Sequence, residues 1–169
     1  MGLSSLFTDE FKERMAQDHD DIDIDFSVMV LGANFWPLKA LDGEFNIPAE
    51  ISPLYNQFSE YYRRKHSGRK LVWVWNDSRN ELRTNYLKQN YVLMTSSYQM
   101  AVLLQYNDHD TLTLDELVAA TGITENVLIQ ELAILVEAGV LINIEKDRYD
   151  LNLGNLPLHP YDYPTESGP

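Results

Sequence analysis

Few residues in this chain have the types and spacing that catalysis or metal binding demands. Asp18-His19-Asp20-Asp21-Ile22-Asp23-Ile24-Asp25 sets carboxylates at alternate places, as a calcium loop would. Such a loop also needs Gly at its sixth place and Glu at its twelfth. Counted from Asp21 those places hold Phe26 and Gly32, so the run reads as a solvated acidic entry to a strand. His66 stands beside Ser67 with neither a strained nucleophile turn nor an orienting acid in view, and His109 lies between Asp108 and Asp110 in a loop. Gly32 and Gly43 stand alone, so there is no glycine-rich phosphate loop, and no HxxxH pair occurs. The absence of cysteine removes disulfides, thiolate zinc sites and thioester-forming nucleophiles together. The expectation is a non-catalytic chain with no cofactor, whose business is binding other proteins.

Charge narrows the partners. A net charge of −13 with a pI near 4.5 opposes nucleic acid or an anionic membrane as the main partner. No apolar run approaches a membrane span, and Met1-Gly2-Leu3-Ser4-Ser5-Leu6-Phe7 lacks a basic leader, so an intracellular protein is expected, in cytoplasm and nucleus. The charge is uneven. Arg63, Arg64, Lys65, Arg69, Lys70, Arg79, Arg83 and Lys88 make up eight of the thirteen Lys and Arg, opposed in that stretch by Asp77 and Glu81 alone. Arg63, Arg64 and Lys65 are therefore candidates for docking an acidic partner, against the plainer reading of a solvated helix end.

These residues need elements to hold them. Thr8 can cap a short helix with Phe11 and Met15 on its inner side. Residues 26–31, Phe-Ser-Val-Met-Val-Leu, read as a buried strand. Ser52-Pro53 opens a helix on which Leu54, Tyr55, Phe58, Tyr61 and Tyr62 form one stripe, with Ser67-Gly68 as its stop. Three strands are expected next, at residues 70–75, 81–87 and 91–95, joined by short polar links that favour antiparallel neighbours. In the first, alternation puts Leu71, Trp73 and Trp75 on one face and Val72 and Val74 on the other, so both faces require cover. A sheet this small keeps an open apolar edge unless something pairs with it.

From Ser97 the pattern becomes helical. Residues 98–106 are apolar nearly all round, Thr113-Leu114-Asp115-Glu116 is a capping box, and Thr124 opens a helix bearing Val127, Leu128, Leu132, Leu135 and Val136 up to Gly139. Residues 140–144 and 148–153 then form a hairpin. Three helices and a hairpin are a winged-helix order. The fold class expected is α+β: a small antiparallel or mixed sheet with packed helices over residues 1–96, a winged helix over 97–153, and a loose tail over 154–169.

Several stretches of the chain resemble the cullin homology region, the C-terminal part of the scaffold subunits of multisubunit ubiquitin ligases. They are His66-Ser67-Gly68-Arg69-Lys70-Leu71 before Trp73, Asp25-Phe26-Ser27-Val28 leading through Val30-Leu31 to Trp36-Pro37, Ile47-Pro48, and Gln99-Met100-Ala101-Val102-Leu103-Leu104-Gln105-Tyr106-Asn107. The last run is nearest the cullin-1 type, and the cullin-like subunit of the anaphase-promoting complex shares the layout. The resemblance implies an α/β region that receives a strand from a RING-box protein, followed by a winged helix. Arg69, Lys70, Leu71, Val72, Trp73, Val74 and Trp75 would be the docking element, by β-augmentation. The RING would bring zinc, and a ubiquitin-conjugating enzyme the reactive thiol. The family's adaptor-binding helical half and its second winged helix, with the lysine that accepts a ubiquitin-like modifier, lie outside this stretch, so the chain reads as a fragment and no modification site carries over.

The alternative is a winged-helix DNA-binding regulator. The helix from Thr124 to Gly139 carries Glu125, Glu131 and Glu137 with no Lys or Arg, a surface that phosphates would avoid.

Overall fold

The computed structural model describes residues 10–13, 24–32, 39 and 43–154. Expectations that fall on Thr8, Met15, the acidic run 18–23, Trp36-Pro37 and the tail from 155 lie outside the described residues. The chain divides into two compact units: residues 1–39 with 49–73, and residues 40–48 with 74–169.

In the first unit Pro53 presets the opening turn of helix α1, Ser52–Lys65. The boundary differs from the expected one. Ile51 occupies the N-cap without a side-chain cap, and Ser52 lies one place inside, where its Oγ accepts from Asn56 Nδ2 at 3.2 Å. Proline carries no N–H to be capped, so the hydroxyl is released to bond one turn ahead. Leu54, Tyr55, Phe58 and Tyr62 are buried and Tyr61 is half-buried, the stripe that the spacing predicts. Arg63, Arg64 and Lys65 fill the last turn, where they complement the negative helix end.

Two extended segments lie against this helix. Phe26, Val28 and Val30, together with Leu71 and Trp73, pack on buried Phe11, Phe58 and Tyr62. Both segments keep the alternation of a strand, yet neither 24–32 nor 69–74 forms a β-ladder among the described residues, so the two strands expected here are corrected to extended chain. Trp75 departs further: it begins a 3₁₀ turn, Trp75–Asp77, and packs in the second unit.

The second unit starts with a two-stranded antiparallel sheet, β1 (Asn80–Arg83) with β2 (Val92–Thr95), in the register Asn80↔Thr95 to Arg83↔Val92. The strand expected to reach residue 87 stops at Arg83. Thr84 N–H donates to the Tyr91 carbonyl at 2.9 Å and Thr84 Oγ1 accepts from Tyr91 N–H at 2.9 Å, so a hydroxyl stands in for the next ladder carbonyl and closes the hairpin early.

Helix α2, Ser97–Leu104, carries a complete capping box: Ser96 Oγ accepts from Gln99 N–H, and Gln99 Oε1 accepts from Ser96 N–H, both at 3.1 Å. After a 3₁₀ turn at Gln105–Asn107 comes β3, Thr111–Thr113, a strand for which the sequence reading had no place. The Thr113–Glu116 box then opens α3, Leu114–Thr121, as expected. Helix α4, Glu125–Glu137, follows Thr124, whose hydroxyl makes no capping bond. The hairpin of β4, Leu141–Glu145, with β5, Arg148–Leu151, completes a three-stranded antiparallel sheet in the order β3-β5-β4, its register shifting between Asn143 and Glu145. Leu117, Ile123, Leu128, Leu132 and Leu141 are almost without exposure at its centre, beside Val102.

Gly122 closes α3 with φ +68°, and Asn46 covers that end: its N–H donates to the Thr121 carbonyl at 2.8 Å and its Nδ2 to the Ala120 carbonyl at 3.1 Å. A Cβ on Gly122 would sit 3.3 Å from the Asn46 amide group. Gly122→Ala should therefore cost about 1–2 kcal/mol from the left-handed backbone alone, and Leu132→Ala about 2–5 kcal/mol from the cavity it leaves. Urea unfolding would read both as a lower midpoint at unchanged slope.

Hydrogen bonds from the Thr113 backbone N–H and hydroxyl hold the Glu116 carboxyl below its ordinary pKa. A carboxyl whose folded pKa is depressed stabilises the fold above its unfolded pKa, and that contribution is lost as pH falls through the folded value. Glu116→Gln should flatten the acid side of the stability-against-pH curve below the ordinary carboxylate range while leaving its slope at neutral pH unchanged.

Candidate docking surface

Alternation along residues 69–75 decides what each side chain can do. Arg69 and Lys70 are exposed, Leu71 and Trp73 turn towards α1, and Val72 between them is 56% exposed. Trp73 is fixed by aromatic contacts: its ring lies 4.7 Å from Tyr55 in a T-shaped pair and 5.7 Å from Phe58. Such geometry suits ring quadrupoles and adds to the value of burial. The segment 24–32 repeats the pattern, with Phe26, Val28 and Val30 half-buried and Met29 69% exposed. The first unit therefore turns one apolar side of each extended segment onto the helix and leaves Val72 and Met29 facing out.

Val74 and Trp75 end the segment differently from expectation. The Val74 carbonyl accepts from Asp77 N–H at 3.3 Å and from Ser78 Oγ at 3.1 Å, which bends the chain into the 3₁₀ turn. Trp75 then meets Phe45 at 5.0 Å, and Phe45 meets Tyr98 at 5.2 Å. Trp75 thus lies outside the extended run that carries Leu71 and Trp73.

The basic residues divide by partner. Arg64 pairs with Glu60 and Lys65 with Glu10. Tyr61 Oη also donates to Glu10, at 2.6 Å, and accepts from Lys65 at 3.2 Å. The bond from Lys65, then that from Tyr61, holds the Glu10 carboxyl below its ordinary pKa, and Glu10 in turn raises Lys65. This group ties residues 10–13 to the last turn of α1. Arg63, Arg69 and Lys70 are exposed and have no acidic partner among the described residues. Arg63, Arg64 and Lys65 are the candidates that the sequence offers for an acidic partner; the Arg64–Glu60 pair is visible in the sequence as an i,i+4 spacing, whereas Glu10 is 55 residues from Lys65 and no local signal shows that bond.

The His66 ring packs on Tyr62 at 4.9 Å, and His109 Nδ1 lies 3.0 Å from the Gln105 carbonyl on an exposed turn. Among the described residues no group of three His, Cys, Asp or Glu could hold a metal ion, and no single helix is long and apolar enough to cross a membrane. The outer surface of α4 presents Glu125, Gln130, Ile134 and Glu137, with no cation.

Residues 30–154 match the family described as the Cullin alpha+beta domain. The chain belongs to the cullin family. It is 38% identical over 146 residues to Cullin-1 of Dictyostelium discoideum, covering 84% of this chain and 19% of that protein. Against Cullin-1 of Schizosaccharomyces pombe it is 41% identical over 128 residues, 74% of this chain and 17% of that one. Cell division control protein 53 of Saccharomyces cerevisiae follows at 34% over 128 residues, 72% and 16%. These matches agree with the cullin-1 type expected from residues 99–107. The chain spans about a fifth of the length of the cullin relatives it matches. The cullin match begins within the 24–32 segment and runs to Gly154, so it takes in α1, the docking candidates and both small sheets. The α+β class expected from the sequence stands, with helices beside small antiparallel sheets.

The two faces of the 69–73 segment should respond differently to substitution. Phe58→Ala, at a ring with no exposure, is expected to cost about 3–5 kcal/mol. Val72→Asp should stay within about 0.5 kcal/mol of the parent, as surface changes do. Denaturant melts of the two variants check the contrast, and a large loss at Val72 would show that its side is covered.

Proposed function

We propose that this chain is the scaffold segment of a cullin-RING ubiquitin ligase, taking up a RING-box protein by strand addition along Arg69, Lys70, Leu71, Val72, Trp73 and Val74. The observation that carries the reading is the half-seated segment itself: strand-like alternation, one side anchored on an aromatic helix, and an apolar side chain, Val72, facing solvent at 56%. An added strand supplies main-chain hydrogen bonds, while the side chains beside it choose the partner. Met29 on the 24–32 segment is exposed in the same manner, at 69%. Trp75 is withdrawn from the docking set, because its ring is engaged with Phe45. Arg63, Arg69 and Lys70 would steer an acidic partner by long-range attraction, which raises association rate more than it raises affinity.

In this reading residues 97–153 form the winged helix. The support is the order of three helices, a short strand and a hairpin. The chain itself brings no catalytic side chain. Its part is proximity: a ubiquitin-conjugating enzyme held through the RING reacts at a raised effective concentration of substrate. The location that goes with this role is cytoplasm and nucleus. A DNA-binding role is not favoured, since the helix that would enter a groove offers phosphates only carboxylates and neutral groups.

Co-expression with a RING-box protein and size-exclusion chromatography tests the reading. The parent chain should co-elute, while Val72→Asp, with unchanged circular dichroism, should bind more than about tenfold more weakly, a loss of roughly 1.4 kcal/mol. A well-folded parent that runs alone at every concentration removes strand docking. Separately, Arg63→Glu with Arg69→Glu should slow association at low salt and leave it little changed at high salt, where charges are screened.

A further inference from the structure

Ser67 lies in the exposed turn that follows α1, and its surroundings are more cationic than anywhere else among the described residues. Arg63, Arg64 and Lys65 precede it by four, three and two places, and Arg69 and Lys70 follow it by two and three. Gly68, next to it, has φ +85° and open space on the side where a Cβ would stand. Bonds in the turn include His66 N–H to the Tyr62 carbonyl at 2.9 Å and Arg69 N–H to the His66 carbonyl at 3.4 Å.

We infer that Ser67 is a phosphoacceptor for a protein kinase whose acidic cleft reads basic residues upstream of its target, and that the phosphate switches off the cationic cluster beside the docking segment. Guanidinium groups three and four places before a hydroxyl are what such a cleft recognises, through charge-assisted bonds to its carboxylates. The chemistry is an ordinary phosphoryl transfer from ATP. The Ser67 Oγ attacks the γ-phosphorus, the bond from that phosphorus to the β–γ bridging oxygen breaks, ADP leaves, and the serine proton passes to the kinase's base. Nothing is oxidised or reduced.

The consequence is electrostatic. A phosphoserine adds roughly −1.5 to −2 charges and three acceptor oxygens. Arg63, Arg69 and Lys70, which have no acidic partner among the described residues, are the cations it would engage. Once engaged, they no longer draw an acidic partner towards Arg69–Val74. This part of the inference rests on the basic cluster proposed above. For the kinase to read Arg63 to Lys65 in extended form, the last turn of α1 must peel away, and the Lys65–Glu10 and Arg64–Glu60 pairs oppose that. Helix ends open locally at less cost than global unfolding, and these pairs, with Tyr62 buried beside Phe58, lower the population a kinase can read and so slow the transfer.

The test uses this whole chain, ATP and the catalytic subunit of a cyclic-AMP-dependent protein kinase, with sites mapped by mass spectrometry. One phosphate on Ser67 is expected, none there in Ser67→Ala, and roughly tenfold slower incorporation in Arg64→Ala, the value of about one charged hydrogen bond. Glu10→Gln, which removes the charge of the Lys65 ion pair and leaves the Tyr61 contacts in place, should raise the rate. Association of a poly-glutamate peptide with the phosphorylated chain should be several-fold slower at low salt than with the parent. A folded chain that gains no phosphate at Ser67, while a peptide of residues 60–72 gains it, overturns the site. Phosphate at Ser67 with unchanged peptide association overturns the switch. If the unmodified chain shows no salt-dependent association with the peptide, the basic-cluster reading fails, and the switch with it, whatever the site mapping gives.

Discussion

The ring of Phe58 has no solvent exposure, and Phe11, Phe26, Tyr61, Tyr62 and Trp73 each set a ring centroid within 6.4 Å of it. Those five rings come from separate stretches of sequence: residues 10–13, the 24–32 segment, α1 itself and the 69–73 segment. One helical side chain is therefore the common contact of every described part of the first unit except its polar ends. Neither extended segment is held to the helix by a ladder, so its direction and the alternation of its faces follow from where Phe26 and Trp73 are seated. The outward position of Val72 is a result of the inward position of Trp73.

The second unit reaches its fixed geometry by another route. Its centre is aliphatic, and direction is set at helix ends: two reciprocal capping boxes, the Asn46 amide on the last carbonyls of α3, and Asn152, whose Nδ2 donates to the Gly139 carbonyl at 2.7 Å where α4 gives way to β4. Tyr106 joins the helical and sheet layers by donating to the Tyr149 carbonyl at 2.9 Å, and burial, with Asp150 nearby, raises its phenol well above the usual range. That hydroxyl stays protonated throughout the range in which proteins function, so the bond it donates is insensitive to pH.

What could be read from sequence follows from the range of the forces involved. Periodic burial, capping boxes and left-handed glycines are local, and α1 to α4 and the β4–β5 hairpin are legible through Phe58, Thr113–Glu116, Gly68 and Gly139. Residues 111–113 were not legible as β3, because three residues show no period and their pairing with β5 spans more than thirty places. Trp75 was assigned to the face of Trp73 by alternation, which holds only while the backbone stays extended; bonds from Asp77 and Ser78 to Val74 end that two residues after Trp73. At the candidate docking surface the composition of residues 63–70 is plain from the sequence, whereas the pairing of Lys65 depends on Glu10, far away in the chain. The family, by contrast, was legible from contiguous motifs that survive in the chain whatever its geometry.

The register shift in β4 has a bearing on how this chain behaves in company. β4 is the outer strand of its sheet, and Ile142 and Ile144 on it are 44% and 56% exposed. A straight outer strand with such side chains would be a template for indiscriminate pairing between copies. The irregularity between Asn143 and Glu145 bends the backbone and breaks the even spacing of donors and acceptors that a foreign strand would need. The outer strand with the most exposed isoleucine surface is thus the one the fold has made irregular, which keeps β4 from serving as an even template for a second copy.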